Sequence, residues 1–244
     1  MNIALIAATS LTDQVEENLN TLFAKARAAK GQGADLALFG EAFLQGFEAL
    51  TFEYESDIHK CLSLGSQAIA RILAFCKQEG IALGVGYYEN DHGAIYASYL
   101  LVGEEGQVLA NYRRVSPGWK EPGAHADYRE GKHFLSVRYK GRELAVIVCG
   151  DFWEDELLPQ IIEMDDRADA FLWPVHCDYD VGSWQASEEA EYEKRSQLLA
   201  APVLFVNNYT EEPDRAKGGL YHWHQGHTIA KSDMGQEGIL LVEI

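Results

Sequence analysis

The sequence is poor in positive charge. Twenty Lys and Arg stand against 38 Asp and Glu, a formal net charge of −18. A field of that sign repels nucleic acids and anionic membrane surfaces, so neither is expected as a partner. Cysteine is also sparse. Four residues (Cys61, Cys76, Cys149, Cys177) in a chain of 244, with no C-x-x-C spacing, do not make a disulfide framework. No apolar run approaches the roughly 20 residues of a membrane span. The opening MNIALIAATSLTDQVEE lacks a basic n-region and turns acidic early, unlike a signal peptide. A cytoplasmic setting with free thiols is expected. Several catalytic signatures are missing too. GVGYYE supplies Gly84 and Gly86 but places Glu89 where a dinucleotide fingerprint has its third glycine. There is no G-x-x-x-x-G-K-[ST], no G-x-S-x-G and no H-E-x-x-H. Nucleotide-binding, serine-hydrolase and zincin readings are poor.

What is present is an ordinary globular composition, 47% hydrophobic, 24% charged and 11% aromatic. With no linker, repeat or low-complexity stretch, residues 1–244 read as a single domain. IALIAA has strand length, and Val15, Leu19, Leu22, Phe23 and Ala26 then recur at helical spacing before ADLALF, a second buried strand. A right-handed β-α-β crossover is expected there. The pattern repeats with a helix over Leu62–Lys77 and a strand in GIALGVGYY. AIYASYLLVG and VLANYRR read as a hairpin, and ELAVIVCG, ADAFLWP and PVLFVNN as further strands. SEEAEYEKRSQLLAA reads as a helix with its charges ordered to suit the helix dipole. TIAKSDMGQEGILLVEI reads as a final hairpin. Together these predict an α/β fold with mixed sheets and helices outside.

Three candidate sites lie just past strand ends, where α/β folds assemble their chemistry. LALFGEAFLQGF puts Glu41 after a buried strand. ANYRRVSPGWKEPGA groups Arg113, Arg114, Lys120 and Glu121. LAVIVCGDFWEDEL ends a strand at Cys149, followed by Gly150 and Asp151. A thiol nucleophile needs a base for its proton and a cation to favour thiolate and oxyanion. Glu41 can serve as that base, and Arg114 or Lys120 as that cation. The backbone N–H after Cys149, with the permissive Gly150, can form part of an oxyanion hole.

The order strand–Glu, Tyr-Arg-(Arg/Lys), strand–Cys-x-Asp resembles the nitrilase, or carbon–nitrogen hydrolase, superfamily, and the similarity runs from Ile3 to Gly235. FGEAFLQGF and VCGDFWEDEL are similar to its Glu and Cys motifs. Tyr128, Gly131 and Phe134 resemble the segment before the Cys strand, Arg195 and Asn207 a helix–strand Arg…Asn pattern, and Gly226, His227, Thr228 and Gly235 the closing segment. The resemblance implies a four-layer αββα sandwich of two mixed sheets. It also implies a Glu–Lys–Cys triad that hydrolyses amides, nitriles or carbamoyl groups through a thioester or thioimidate. No cofactor or metal is implied, and homodimers or larger homo-oligomers are common among members.

Two departures qualify it. The family's Lys register holds Arg114, a planar fork in place of a compact ammonium. Arg114 and Lys120 both remain candidates for the cation, with Lys120 favoured on its chemistry. Glu121 lies near where members carry a second Glu that orients the triad. Several members acting on acids have Arg four residues after the Cys. Here Trp153 stands there, beside Phe152, and an apolar wall suits a neutral amide better than a carboxylate. Trp173, His176 and Cys177 complete the expected pocket. Cys177, beside His176, is a weaker nucleophile candidate, because adjacent side chains on extended chain point apart. His222, His224 and His227 in H-W-H-Q-G-H are a weaker candidate for zinc. The expected activity is a cofactor-independent thiol amidohydrolase on a small neutral amide. The alternative is a catalytically degenerate binding or regulatory protein of the same fold, motivated by the altered Lys register.

Overall fold

The computed structural model describes residues 1–244, and the alternation of its first strand sets the layering. In β1 (Asn2–Ala7), Ile3, Leu5 and Ala7 face one side, Ala4 and Ile6 the other, and all five are buried. A strand buried on both faces is a near-continuous apolar run, as this one is. Around it lie β2 (Leu36–Leu38), β3 (Ala82–Asp91), β4 (Ala94–Val102), β5 (Val108–Arg113) and β12 (Gly238–Glu243), in the order β12-β1-β2-β3-β4-β5. Strands β1, β2 and β3 run parallel; β4, β5 and β12 are antiparallel to their neighbours.

The second sheet repeats this plan. It comprises β6 (Leu135–Tyr139), β7 (Arg142–Val146), β8 (Ala170–Val175), β9 (Val203–Asn207), β10 (Leu220–His224) and β11 (His227–Ser232), in the order β11-β10-β9-β8-β7-β6. Its centre, β7-β8-β9, is again parallel. Ile3, Leu5, Leu36 and Leu38 of one sheet pack against Val146, Leu172 and Leu204 of the other. Helices α1 (Val15–Gly31) and α2 (Gln67–Glu79) cover the outer face of the first sheet with Leu19, Leu22, Ala26, Ile69 and Ile72. Helices α3 (Leu158–Asp165) and α4 (Glu189–Ser196) cover the second with Ile161, Met164 and Tyr192. The fold is the four-layer αββα sandwich, two mixed sheets with helices outside.

Some boundaries differ from expectation for identifiable reasons. Helix α2 starts at Gln67, not near Leu62. The Leu62 N–H is committed to Tyr88 O at 2.9 Å, and Ser66 caps the helix by accepting from Ile69 N. The closing segment is not a hairpin. Strand β12 pairs antiparallel with β1, while β11 pairs with β10 in the other sheet. The hairpin partner β10 hides in LYHWH, and Gln225 and Gly226, both at positive φ, make the tight turn that joins the pair.

The loops that follow β2, β7, β8 and β9 all leave the carboxyl ends of parallel strands and converge. Gly86 on β3 makes one approach possible. A Cβ there would lie 2.6 Å from Glu41 Cα and Gly40 O and inside contact distance of Ala42 N. The glycine is the floor on which the Glu41 loop rests. Gly86→Ala should therefore destabilise the protein by about 1–3 kcal/mol, the usual cost of overpacking. Urea unfolding measures this, and a change within 0.5 kcal/mol (roughly the spread of neutral surface substitutions) would contradict it.

Candidate active site

Glu41 is bound to both sheets through its backbone. Its N–H donates to Val175 O at 3.2 Å, and Asn208 Nδ2 donates to its carbonyl at 2.6 Å. Val175 ends β8 and Asn208 follows β9, so the second sheet holds a residue supplied by the first. The side chain is 2% exposed. Oε1 accepts from Arg114 Nη1 at 2.7 Å, while Oε2 is buried without a hydrogen-bond partner.

Arg114 follows β5 directly and is 3% exposed. Its Nε donates to Ser116 Oγ at 2.8 Å. Burial works against its charge. Glu41, Cys149 and Asp151 together more than offset that and hold the guanidinium above its ordinary range. Arg113, one residue earlier, points away, donating twice to Glu89 at 2.8 Å and once to Asp91 at 2.7 Å. The alternation of an extended chain divides the two arginines between separate sites.

Lys120 does not join Glu41. Its Nζ donates to Tyr128 O at 2.6 Å and pairs with Glu130 at 2.6 Å. The neighbouring Trp119 is buried against Tyr88 and Tyr128, which anchors that stretch away from the carboxylate. Arg114, and not Lys120, is the cation that meets Glu41. Glu121 is exposed and makes no ion pair.

Cys149 sits on a sharp turn after β7, at φ +46°, a left-handed conformation uncommon for a residue with a side chain. Two contacts hold it there. Trp173 Nε1 donates to Cys149 O at 2.9 Å. Asp151, fully buried, accepts from Val148 N at 2.9 Å, Tyr112 OH at 2.6 Å, Val115 N at 3.0 Å and Ser116 N at 2.7 Å. One carboxylate thus clamps the Cys149 turn to the Arg114 segment. Burial raises the pKa of Asp151, opposed by Arg114 and these donors.

The resting nucleophile candidate is a thiol. Burial first, and then the Glu41 charge, push Cys149 up to about 12, with Arg114 pulling the other way. Its Sγ lies 4.0 Å from His176 O and within hydrogen-bonding reach of the Glu41 side chain. Cys177 is buried, and burial followed by the Cys149 charge raises its thiol well above the ordinary range. For both thiols the surroundings disfavour the ionised form.

The expected pocket residues fall into two groups. Phe152 and Trp173 are fully buried and pack edge to face at 5.0 Å, beneath the turn and not on an open wall. Trp153 is 38% exposed, stands over Tyr192 at 4.8 Å, and carries the Arg195 guanidinium 5.4 Å from its ring. His176 lies behind Glu41: its ring stacks on Phe47 at 4.6 Å and its Nδ1 is 3.2 Å from Asn208 Nδ2. Glu48, His176 and Asp178 offer three ligand atoms within 4.8 Å of one another, but Arg215 lies 3.3 Å from each carboxylate and supplies the positive charge there. His222, His224 and His227 lie on the β10–β11 hairpin, where His224 pairs in register with His227.

The structure thus brings Glu41, Arg114, Cys149 and Gly150 together and leaves Lys120 and Glu121 outside. It adds Asp151, Ser116 and Asn208. Asp151 is visible in the Cys-x-Asp spacing; Ser116 and Asn208 carry no signal that a single sequence reveals.

The model of the carbon–nitrogen hydrolase family matches residues 2–244. An arylacetone-specific nitrilase of Alcaligenes faecalis is 28% identical over 123 residues, covering 47% of this chain and 35% of the nitrilase. An N-carbamoylputrescine amidase of Solanum tuberosum is 27% identical over 150 residues, 59% of this chain and 49% of that amidase. The matched stretches therefore span half or less of these curated relatives. Among solved structures, the NitN amidase of Nesterenkonia sp. AN1 superimposes with a TM-score of 0.81 at 22% identity, covering 100% of this chain and 92% of its own. The glutamine-dependent NAD+ synthetase of Acinetobacter baumannii also gives 0.81, at 19% identity over 98% of this chain and 44% of its own. A Glu-to-Gln variant of the Nesterenkonia amidase shows Michael addition of acrylamide at its active-site cysteine.

The thiol at about 12 sets a pH dependence. Iodoacetamide alkylation of Cys149, read by peptide mass spectrometry, should climb about tenfold per pH unit from 7 to 10 without levelling near the free value of about 8.5. Glu41→Gln removes a negative charge that disfavours the thiolate, so the midpoint should move down in that variant. A plateau near 8.5 in the parent, or an upward move in the variant, would contradict the electrostatics.

Proposed function

The chain belongs to the carbon–nitrogen hydrolase family, and from that premise we propose that it is a cofactor-independent thiol amidohydrolase acting on a small neutral amide. The observation that carries this reading is the buried Glu41–Arg114 pair beside Cys149, with Glu41 Oε2 left free to accept a proton. Glu41 takes the proton of Cys149 as the sulfur attacks the amide carbon. Arg114 and the N–H of Gly150 hold the negative charge that develops on the carbonyl oxygen. Glu41 then protonates the departing ammonia or amine, and afterwards activates a water that cleaves the thioester.

Trp153, four residues after Cys149 and partly exposed, supports a neutral substrate by its apolar surface. Arg195 beside it pairs with Asp155 at 2.9 Å, which reduces the net charge next to that ring. The same reading includes a homo-oligomer and a cytoplasmic setting, the latter in keeping with four free cysteines.

A catalytically degenerate binding protein is the second reading, favoured by the guanidinium in the lysine register. Ammonia release from a panel of neutral amides separates the two. Cys149→Ala should abolish release. Arg114→Ala should lower kcat/KM by about 10²–10³, the range for a lost oxyanion donor, whereas Lys120→Ala should stay within about threefold, as befits a partly exposed pair. Release that survives Cys149→Ala, or a larger loss from Lys120→Ala than from Arg114→Ala, would overturn the proposal.

A further inference from the structure

Gly150 has no backbone reason to be glycine. It is absent from the positive-φ positions of the chain, whereas Cys149 beside it is among them. The space its side chain would fill explains the residue. A Cβ at Gly150 would fall inside contact distance of Arg114 Nη2, 3.3 Å from Arg114 Cζ and 3.1 Å from Ser116 Oγ. Gly118 repeats the pattern, with a Cβ that would lie 3.2 Å from the same Nη2. Two positions without side chains thus flank one guanidinium nitrogen.

Two of the three nitrogens of the fork have protein partners. Nη1 donates to Glu41 Oε1 and Nε to Ser116 Oγ, while Nη2 makes no hydrogen bond to the protein. Nη2 is the unspent donor, and it lies against the residue whose N–H follows the nucleophile. A lysine has no second branch to reach this place. We propose that Gly150 is a positioning residue for Arg114: its missing side chain admits the second arm of the guanidinium, and the two residues act as an obligate pair. In this chain the arginine is the group around which the turn is shaped, not a residue tolerated in a site meant for ammonium. The inference rests on the reading of Arg114 as the site's cation.

A double-mutant cycle of Gly150→Ala and Arg114→Lys tests the pairing, with two readouts that need no substrate. With Arg114 present, Gly150→Ala should displace the guanidinium from Glu41 and Cys149. Alkylation of Cys149 at pH 8 should fall by about tenfold, because the cation that favours the thiolate has moved away. Tm should drop by several degrees from overpacking. In the Arg114→Lys background the same methyl group meets no Nη2, so alkylation should stay within about twofold and Tm within about a degree of Arg114→Lys alone. Equal losses from Gly150→Ala in both backgrounds, in alkylation and in Tm, would overturn the pairing and leave Gly150 a matter of the turn's own geometry. Because Tm reads the pairing even in a protein with no turnover, failure of the pairing and failure of the hydrolase reading are distinguishable.

Discussion

Two full charges, on Glu41 and Arg114, lie at 2% and 3% exposure with 2.7 Å between their polar atoms. A pair so placed has given up its hydration and is stable only when further hydrogen bonds and a fixed geometry make up the loss. Removing one partner of such a pair strands the other at a cost of about 3–5 kcal/mol. The surrounding chain supplies what the pair requires. Ser116 occupies Nε, Asn208 and Val175 hold the Glu41 backbone, and Gly86 leaves room beneath it.

The proposed nucleophile depends on the same pair. Cys149 is a thiol at rest because burial and the Glu41 carboxylate both disfavour its ionised form. In the proposed mechanism the attacking thiolate therefore forms only as Glu41 accepts its proton, which neutralises the carboxylate and leaves the Arg114 charge to act on the sulfur. The electrostatics couple proton transfer to attack, and the site does not store a reactive thiolate. Asp151 provides the mechanical side of this coupling. By accepting from Val148, Val115, Ser116 and Tyr112, it fixes the Cys149 turn and the Arg114 segment in one frame. Each sheet contributes one half of the site, and the polar cross-links between loops set their separation.

Much of this is legible in the sequence, for physical reasons particular to each residue. Glu41 and Cys149 stand out because each directly follows an apolar strand, where a polar residue is placed by the sheet. Strands apolar on both faces indicate sheets covered on both sides, while the four-layer order comes from the family resemblance. The choice between Arg114 and Lys120 is not legible. It depends on the space beside Gly150 and Gly118 and on the grip of Asp151, which are properties of the folded loops. Strand β10 escapes notice because LYHWH mixes histidine into an apolar pattern. The closing segment resembles a hairpin because Gly235 and Gly238 separate two strand-like runs, yet the open edge of β1 captures β12 across the sandwich. Phe152 and Trp173 look like pocket walls by composition, but their bulk fills the layer beneath the turn.

The most direct test of the account is the covalent state of Cys149 during turnover. The protein is mixed with propionamide, quenched in acid within milliseconds to seconds, and examined by intact and peptide mass spectrometry. The account predicts a propionyl increment on the Cys149 peptide alone, discharged by hydroxylamine and absent from Cys149→Ala. Ammonia release with no such increment on Cys149, or an acyl group found on Cys177 in its place, would contradict it.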